Sequence, residues 1–399
     1  MKIKHIITIF AVTVGLGACD SEIPSASKTM DDLPDLSLSE YVPTFEHPGI
    51  LHNKKSIARM REIVTEANPS SAAYQTYLLL KEDPAAQAGY EMKGPFEYIA
   101  RQGDYQHTKN LFESDFKAAY LNALMYVVTG EDTHARKSIE ILTGYAGTLK
   151  GIAPHNDAWL LAGIETAKLA FALDMLTSMS DLMTQSQIDS VNSMLRNVFL
   201  AKLDDFMDAD PSTNGNWGLS VAHSRLALSI LWNDLEMYQS TCKFLLSGYD
   251  NGTLYYYIDA ATGQCQESGR DQGHVQLGLA FAVASCEMAY KQGNDLYGAL
   301  DNRLLLGMEY TARYNSGHDD VPFKTWKDVT GKYCNWTSIS SESRGQYWSI
   351  YGAAYNHYVG RKGLAMPFTK ELLDRNNWLG KADNVGLDYD IFQFNDGDL

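Results

Sequence analysis

Apolar residues return every three or four positions along most of the chain, the spacing that lays one face of a helix against a core. Phe116, Ala119, Tyr120, Ala123, Leu124 and Val127 give the clearest example, and similar stripes run through 156–176, 184–206, 217–232, 271–291, 296–314 and 345–359. Gly130, Gly248, Gly293 and Gly360 punctuate these stripes as helix stops. Strand signals are confined to Leu254 to Ile258 and to a hairpin near 321–336.

Helices in this number, separated by variable loops and lacking a strict repeat, predict antiparallel hairpins rather than a regular solenoid. Wound around an axis, they give an all-α fold: a single α/α toroid, an incomplete barrel of six or seven hairpins with few short strands. The inner helices of such a ring are apolar nearly all round. Polar groups on them must face the central cleft or be hydrogen-bonded, so chemistry is sought there.

The N-terminus changes the picture of where the chain works. Lys2 and Lys4 precede an apolar run from Ile6 to Leu16, too short to span a bilayer, which predicts a signal peptide over 1–18. Leu16-Gly17-Ala18-Cys19 resembles a bacterial lipobox, with Cys19 as the acylated residue, and Asp20 and Glu22 resemble a surface-export signal. Residues 19–45 then form a flexible tether and 46–399 one large domain, anchored to the bacterial outer membrane by lipid. Cys242, Cys265, Cys286 and Cys334 contain no C-x-x-C pair, so no metal cage is expected, and a disulfide and buried free thiols are both open. With 45% hydrophobic residues the domain can bury a substantial core, and a formal charge of −16 argues against nucleic acid as a partner.

Four polar clusters interrupt the apolar helices. Asn214-Gly215-Asn216-Trp217-Gly218 opens one of them, with Asn216, Ser220 and His223 on a shared face; a helix cap and a core histidine are the bland readings. Glu267-Ser268-Gly269-Arg270-Asp271-Gln272-Gly273-His274 crowds the start of another, where packing alone hardly explains six polar residues. Glu309-Tyr310-Thr311-Ala312-Arg313-Tyr314 precedes a polar loop with Asn315 and His318, and Ser343-Arg344-Gly345 opens a stripe of Trp348, Tyr351 and Tyr355 suited to a core or to sugar stacking. His155-Asn156-Asp157-Ala158-Trp159 is a further polar entrance, in which Asp157 is a natural cap.

Taken together, these segments resemble the alginate lyase superfamily of α/α-toroid polysaccharide lyases, and most of all polysaccharide lyase family 38. The resemblance covers about 46 to 365 and rests on the 214–218, 267–274 and 343–358 segments. Relatives with an Asn-His pair after the first asparagine find Trp217 in the histidine's place here. The resemblance implies β-elimination on a 1,4-linked polyuronate, alginate favoured, with no cofactor or metal. Asn216 and Arg270, with His223 as an addition, would neutralise the sugar carboxylate, Tyr310 would be the acid and base with His274 as second proton carrier, and Tyr257 is the rival tyrosine. Glu267, Arg344, Trp217, His155 and Trp159 complete the expected substrate contacts.

Two other functions compete. An α/α-barrel glycoside hydrolase on unsaturated uronides would use Asp157, Glu267 or Asp271 as proton donor. A surface glycan-binding lipoprotein would need only aromatic platforms and would not require polar groups buried at helix entrances.

Overall fold

The computed structural model of the chain describes residues 37–381 and 386–395; the expected signal peptide and Cys19 lie outside them. Residues 37–45, expected as tether, are docked on the body: Gln239 donates to the carbonyls of Leu38 and Tyr41, and Thr44 N donates to Gln292 O.

Helices follow one another in pairs: α1 (Lys54–Glu66) and α2 (Ala72–Glu82), α3 (Lys109–Thr129) and α4 (Asp132–Thr148), then α5 (Ala158–Met179) with α6 (Gln185–Met194) and α7 (Ala201–Asp208). α8 (Gly215–Leu231) and α9 (Leu235–Ser247) come next, then the single turn α10 (Leu254–Tyr257), α11 (Gln272–Lys291) and α12 (Ala299–Asn315), and finally α13 (Tyr351–Tyr355), α14 (Pro367–Arg375) and α15 (Asp390–Gln393). Two short strands among the described residues, Tyr98–Ile99 and Gly151–Ile152, pair in parallel. This is the α/α toroid expected from the sequence.

Burial separates an inner from an outer layer. α5 buries 17 of its 22 residues whereas α4 buries 7 of 17, so α5 is wrapped by protein and α4 shows one face to solvent. α3, α5, α8 and α11 form the inner wall and run parallel. Tyr120 meets Phe171 and Tyr126 donates to Met179 O; Ser220 packs on Gly163 and Ser224 accepts from Ala167 N; Asn216 meets Glu267 just ahead of α11 and His223 meets Phe281, so the residue numbers rise together along each pair. A Cβ on Gly163 would lie 2.2 Å from Ser220 Oγ, so α5 and α8 approach this closely only because the residue is glycine. Parallel inner helices put all their N-termini at one mouth.

An aromatic layer fills the ring below that mouth. Tyr120, Phe171, His223 and Phe281 touch in succession, one from each inner helix, at centroid distances of 5.5, 5.8 and 5.4 Å. The C-terminal turn closes the ring: Gln393 Oε1 accepts from Tyr120 Oη at 2.6 Å and pairs with His52 Nε2 at 2.7 Å, while Asp390 accepts from Gly352 N at 2.7 Å.

Three local expectations are overturned. Leu254–Tyr257 is a helical turn, because Thr253 caps it and the Tyr257 ring is drawn inward; only Ile258 makes a bridge, to Cys265. No ladder forms over 321–336, because the Asp328 carboxylate gathers Thr330 N and Oγ1, Tyr333 N and Asn251 Nδ2 into a turn. The helix expected from Ser343 begins only at Tyr351, since Ser343 and Gly345 take left-handed φ of 60° and 82°. Cys242, Cys265 and Cys286 are buried free thiols.

Candidate active site

At the mouth the first turn of α8 faces the loop leading into α11, and one carboxylate joins them. Glu267 is fully buried and takes four donors: Asn216 N at 3.0 Å, Asn216 Nδ2 at 2.7 Å, an Arg270 guanidinium N–H at 2.8 Å and Tyr257 Oη at 3.3 Å. A group surrounded by donors alone is an acceptor, which fits the carboxylate form. Burial pushes its pKa up, and Arg270, His274 and Asn216 pull it back. Neighbouring Gln266 repeats the link one residue earlier, accepting from Gly215 N at 3.1 Å and donating to Asn214 Oδ1 at 3.1 Å.

Tyr257 stands behind this carboxylate. Its ring sits between α8 and α11, where a Cβ on Gly215 or on Gly278 would come within 2.3 and 2.2 Å of it. Two glycines therefore make the slot that admits the ring. The phenol is fully buried beside Glu267, and desolvation followed by that charge raises its pKa well above normal. A phenol so held stays protonated and braces Glu267; it does not serve as the base.

The groups that open outward are Arg270 and His274. Arg270 keeps 30% of its side chain exposed with one face on Glu267 and Asp271. Asp271 caps α11 through His274 N at 2.7 Å, and its other oxygen pairs with His274 Nδ1 at 2.6 Å. That pairing fixes Nδ1–H toward the carboxylate and leaves Nε2, on a ring 39% exposed, free to take a proton.

Loop 321–342 roofs this cluster. Trp336 packs on Gly269, where a Cβ would meet its side chain at 2.3 Å, and Ser340 N donates to Ser268 O at 2.9 Å. Tyr333, stacked with Trp336, donates to Ser212 O at 3.3 Å and lies within the electrostatic reach of Arg270 and Glu267. Burial raises its pKa and Arg270 lowers it, the first effect being larger. Tyr333 was not singled out in the sequence, because its loop has no periodicity.

The sequence profile of the family described as Alginate lyase matches residues 61–321, which contain Asn216, Glu267, Arg270 and His274. The chain belongs to the alginate lyase family. It is a polysaccharide lyase by that membership, and solved structures agree with its fold. Alginate lyase A1-III from Sphingomonas species A1 is 16% identical with a TM-score of 0.61, over 86% of this chain and 97% of that one. A tyrosine-to-phenylalanine variant of alginate lyase A1-III complexed with tetrasaccharide is 14% identical with a TM-score of 0.62, over 86% and 97%. An alginate lyase from Bacteroides ovatus is 13% identical with a TM-score of 0.59, over 86% and 99%. Comparison with curated proteins finds no match.

Several expected site residues of the lyase lie elsewhere. Tyr310 donates to Pro322 O at 2.7 Å within a small cluster with Tyr314 and Val321, where burial raises its pKa; it is a post under the roof loop. His223 is fully buried in the aromatic layer and neither ring nitrogen has a hydrogen-bond partner among the described residues, the Gly163 carbonyl being taken by Ser224. Burial lowers its pKa to about 3, so it remains a neutral core ring rather than a carboxylate partner. Arg344 clamps the roof's base, donating to Tyr314 O, His318 O and Asp319 and stacking 3.9 Å over Tyr314. Glu267 and Tyr257 are organisers buried beneath the mouth rather than contacts for sugar.

Trp217 is half-buried in the first turn of α8. Trp159 precedes Gly163 by four residues as Asn216 precedes Ser220, so both open the same mouth. His155 and Trp159 line a pocket of about 490 Å³ there with Lys202 and Asp205. His155 is oriented through both nitrogens, Nδ1 on Ala153 O at 2.7 Å and Nε2 accepting from Arg101 N at 3.2 Å, so it supports the wall.

Proposed function

We propose that this lyase cleaves a 1,4-linked polyuronate, alginate favoured, by β-elimination at the mouth of the toroid, as a member close to polysaccharide lyase family 38. The observation that carries the proposal is the buried Glu267 that binds Asn216 and Arg270 together across α8 and the approach to α11.

The proton at C5 of a uronate is weakly acidic while the adjacent carboxylate is negative. Arg270, fixed on its inner side and open on its outer side, neutralises that carboxylate, while Asn216, fully buried, grips Glu267 through its amide and backbone N–H and so aims Arg270. Donors preorganised where charge develops typically contribute several kcal/mol each. Nε2 of His274 takes the C5 proton, the C–H electrons form the C4–C5 double bond, and the bond from C4 to the glycosidic oxygen breaks. A protonated phenol then delivers its proton to the departing oxygen. Tyr333 is assigned that step as the roof-loop phenol within the electrostatic reach of Arg270, and its hydroxyl must leave the long bond to Ser212 O to deliver the proton. His274 thus replaces Tyr310 as the base in this reading.

The test is incubation of the purified chain with polymannuronate, polyguluronate and glucuronan, following the ultraviolet absorbance of the unsaturated product. Product from at least one polymer, lost in His274→Ala and Arg270→Ala, is expected. Absence of unsaturated product from all three sinks the reading.

A further inference from the structure

On the outer side of α10, residues 255–260, the start of α12 and loop residues 324–329 enclose a second cleft of about 490 Å³. Its charge runs against that of the protein. The chain carries −16, yet Arg303, Lys324 and Lys327 line this cleft opposite one acid, Asp259. Lys324 pairs with Asp259. Arg303 has no such ion pair among the described residues: its guanidinium donates to the carbonyls of Ile258 at 2.9 Å and Tyr255 at 3.4 Å and stands 5.8 Å from the Tyr255 ring centroid. Asp259 and Asp301 act on it only through space, and burial outweighs them, so this half-buried cation is incompletely compensated and an incoming anion relieves it. Lys327 is exposed at the rim and forms no ion pair among the described residues. Tyr255, Tyr256 and Trp326 add apolar aromatic surface. Cations beside aromatic faces in a concave site match a ring that carries a carboxylate.

We propose that this cleft is a second, non-catalytic glycan site that holds a uronate residue of the polymer, its carboxylate on Arg303 and Lys327 and its sugar ring against the aromatic wall. The choice of a uronate as ligand rests on the polyuronate reading above. The roof loop links the two sites: it supplies Lys324 and Lys327 here, then continues through Asp328 to Tyr333 at the mouth. A polymer held at this cleft is therefore retained near the mouth between cleavages, which matters for long chains and not for short ones.

The experiment is electrophoresis through native gels containing alginate or a neutral glucan, with the whole protein and two variants, Lys327→Ala and Arg303→Gln. Lys327 is exposed, so its replacement leaves folding intact even where Arg303→Gln does not. Alginate, and not the neutral glucan, should retard the wild type. Lys327→Ala should weaken that retardation, by about tenfold in apparent affinity for the pair of substitutions together, while cleavage of a uronate trisaccharide keeps its rate. The inactive His274→Ala protein should still be retarded. Unchanged retardation in Lys327→Ala, or retardation and trisaccharide cleavage lost in parallel, overturns the proposal. If the wild type releases no unsaturated product from any polyuronate, the catalytic reading fails alone, because the gel still reports whether this cleft holds an acidic glycan.

Discussion

Glu267→Gln tests the site at its centre, since the substitution keeps the shape and removes the charge. The carboxylate serves donors on both oxygens: Asn216 Nδ2 and Arg270 on one, Asn216 N and Tyr257 on the other. A glutamine keeps one acceptor oxygen and turns an NH₂ toward the other pair. If the NH₂ faces Asn216 N, two N–H groups oppose each other; if it faces Arg270, a cation meets a donor. Hydrogen bonds to a charged group are worth about 1.5–3 kcal/mol each, and two of them are lost. Arg270 is 30% exposed, so water recovers part of its share. The expected loss of stability is therefore about 2–5 kcal/mol, read as a lower midpoint in urea denaturation with an unchanged slope. Activity should fall further, because Arg270 and Asn216 lose the anchor that aims them; a misplaced preorganised donor costs about 10²–10³ in kcat. The assay is initial rate on the preferred polyuronate at saturation, under conditions where circular dichroism shows the variant folded. A Glu267→Gln enzyme with a wild-type rate and midpoint would falsify the claim that this carboxylate organises the site.

Three further outcomes follow from the geometry. His274→Ala should lose about 10²–10⁴ in rate as a missing general base, whereas Tyr310→Phe should keep its rate and lose about 1 kcal/mol of stability with its bond to Pro322 O; equal rate losses in both would return Tyr310 to the site. Gly278→Ala drives a methyl to within 2.2 Å of Tyr257 Oη, so about 1–3 kcal/mol of overpacking strain should appear in urea denaturation. His223 has a folded pKa of about 3 against an ordinary 6.5, so below pH 6.5 the unfolded chain binds a proton that the folded one refuses. Its contribution is fully present above pH 6.5 and declines by about 1.4 kcal/mol for each pH unit of acidification below that. His223→Phe should remove this component, seen as a shallower fall of thermal midpoint between neutral and acid pH than in the wild type; parallel curves would count against a neutral buried ring.

The inner helices were legible because four turns of continuous apolar sequence have no other use in a globular chain, and the stripes at 156–176, 217–232 and 271–291 coincide with α5, α8 and α11. The run Leu254 to Ile258 was not, since five β-prone residues look like a strand until Thr253 caps them and two distant glycines open a slot for Tyr257. Within the site, Asn216, Arg270 and His274 were visible as polar groups at apolar helix entrances. Glu267 was visible but its office was not, because its partner Asn216 is 51 residues away. His223 shares a helical face with Asn216, yet seven residues of rise carry it about 10 Å deeper, out of the mouth and into the aromatic floor. Tyr310 was selected by residue type, and only three-dimensional burial shows its hydroxyl occupied by a carbonyl.

On the proposed polyuronate reading, a protein with a charge of −16 needs local fields that defeat its global one. The parallel inner wall provides the first. α3, α5, α8 and α11 all begin at the mouth, and each N-terminus acts as roughly half a positive charge over its first turn. Glu267 runs against this, an anion placed beside the site proposed to bind one. Its depth resolves the contradiction: fully buried and saturated with donors, it is compensated by Arg270 and the α8 amides on its inner side, while the outer N–H groups of Arg270 remain for the ligand. The same carboxylate that lowers the net charge of the site fixes the direction of its cation. Direction matters more than the sum here, because a guanidinium held on one edge meets a planar carboxylate on the other without reorganising.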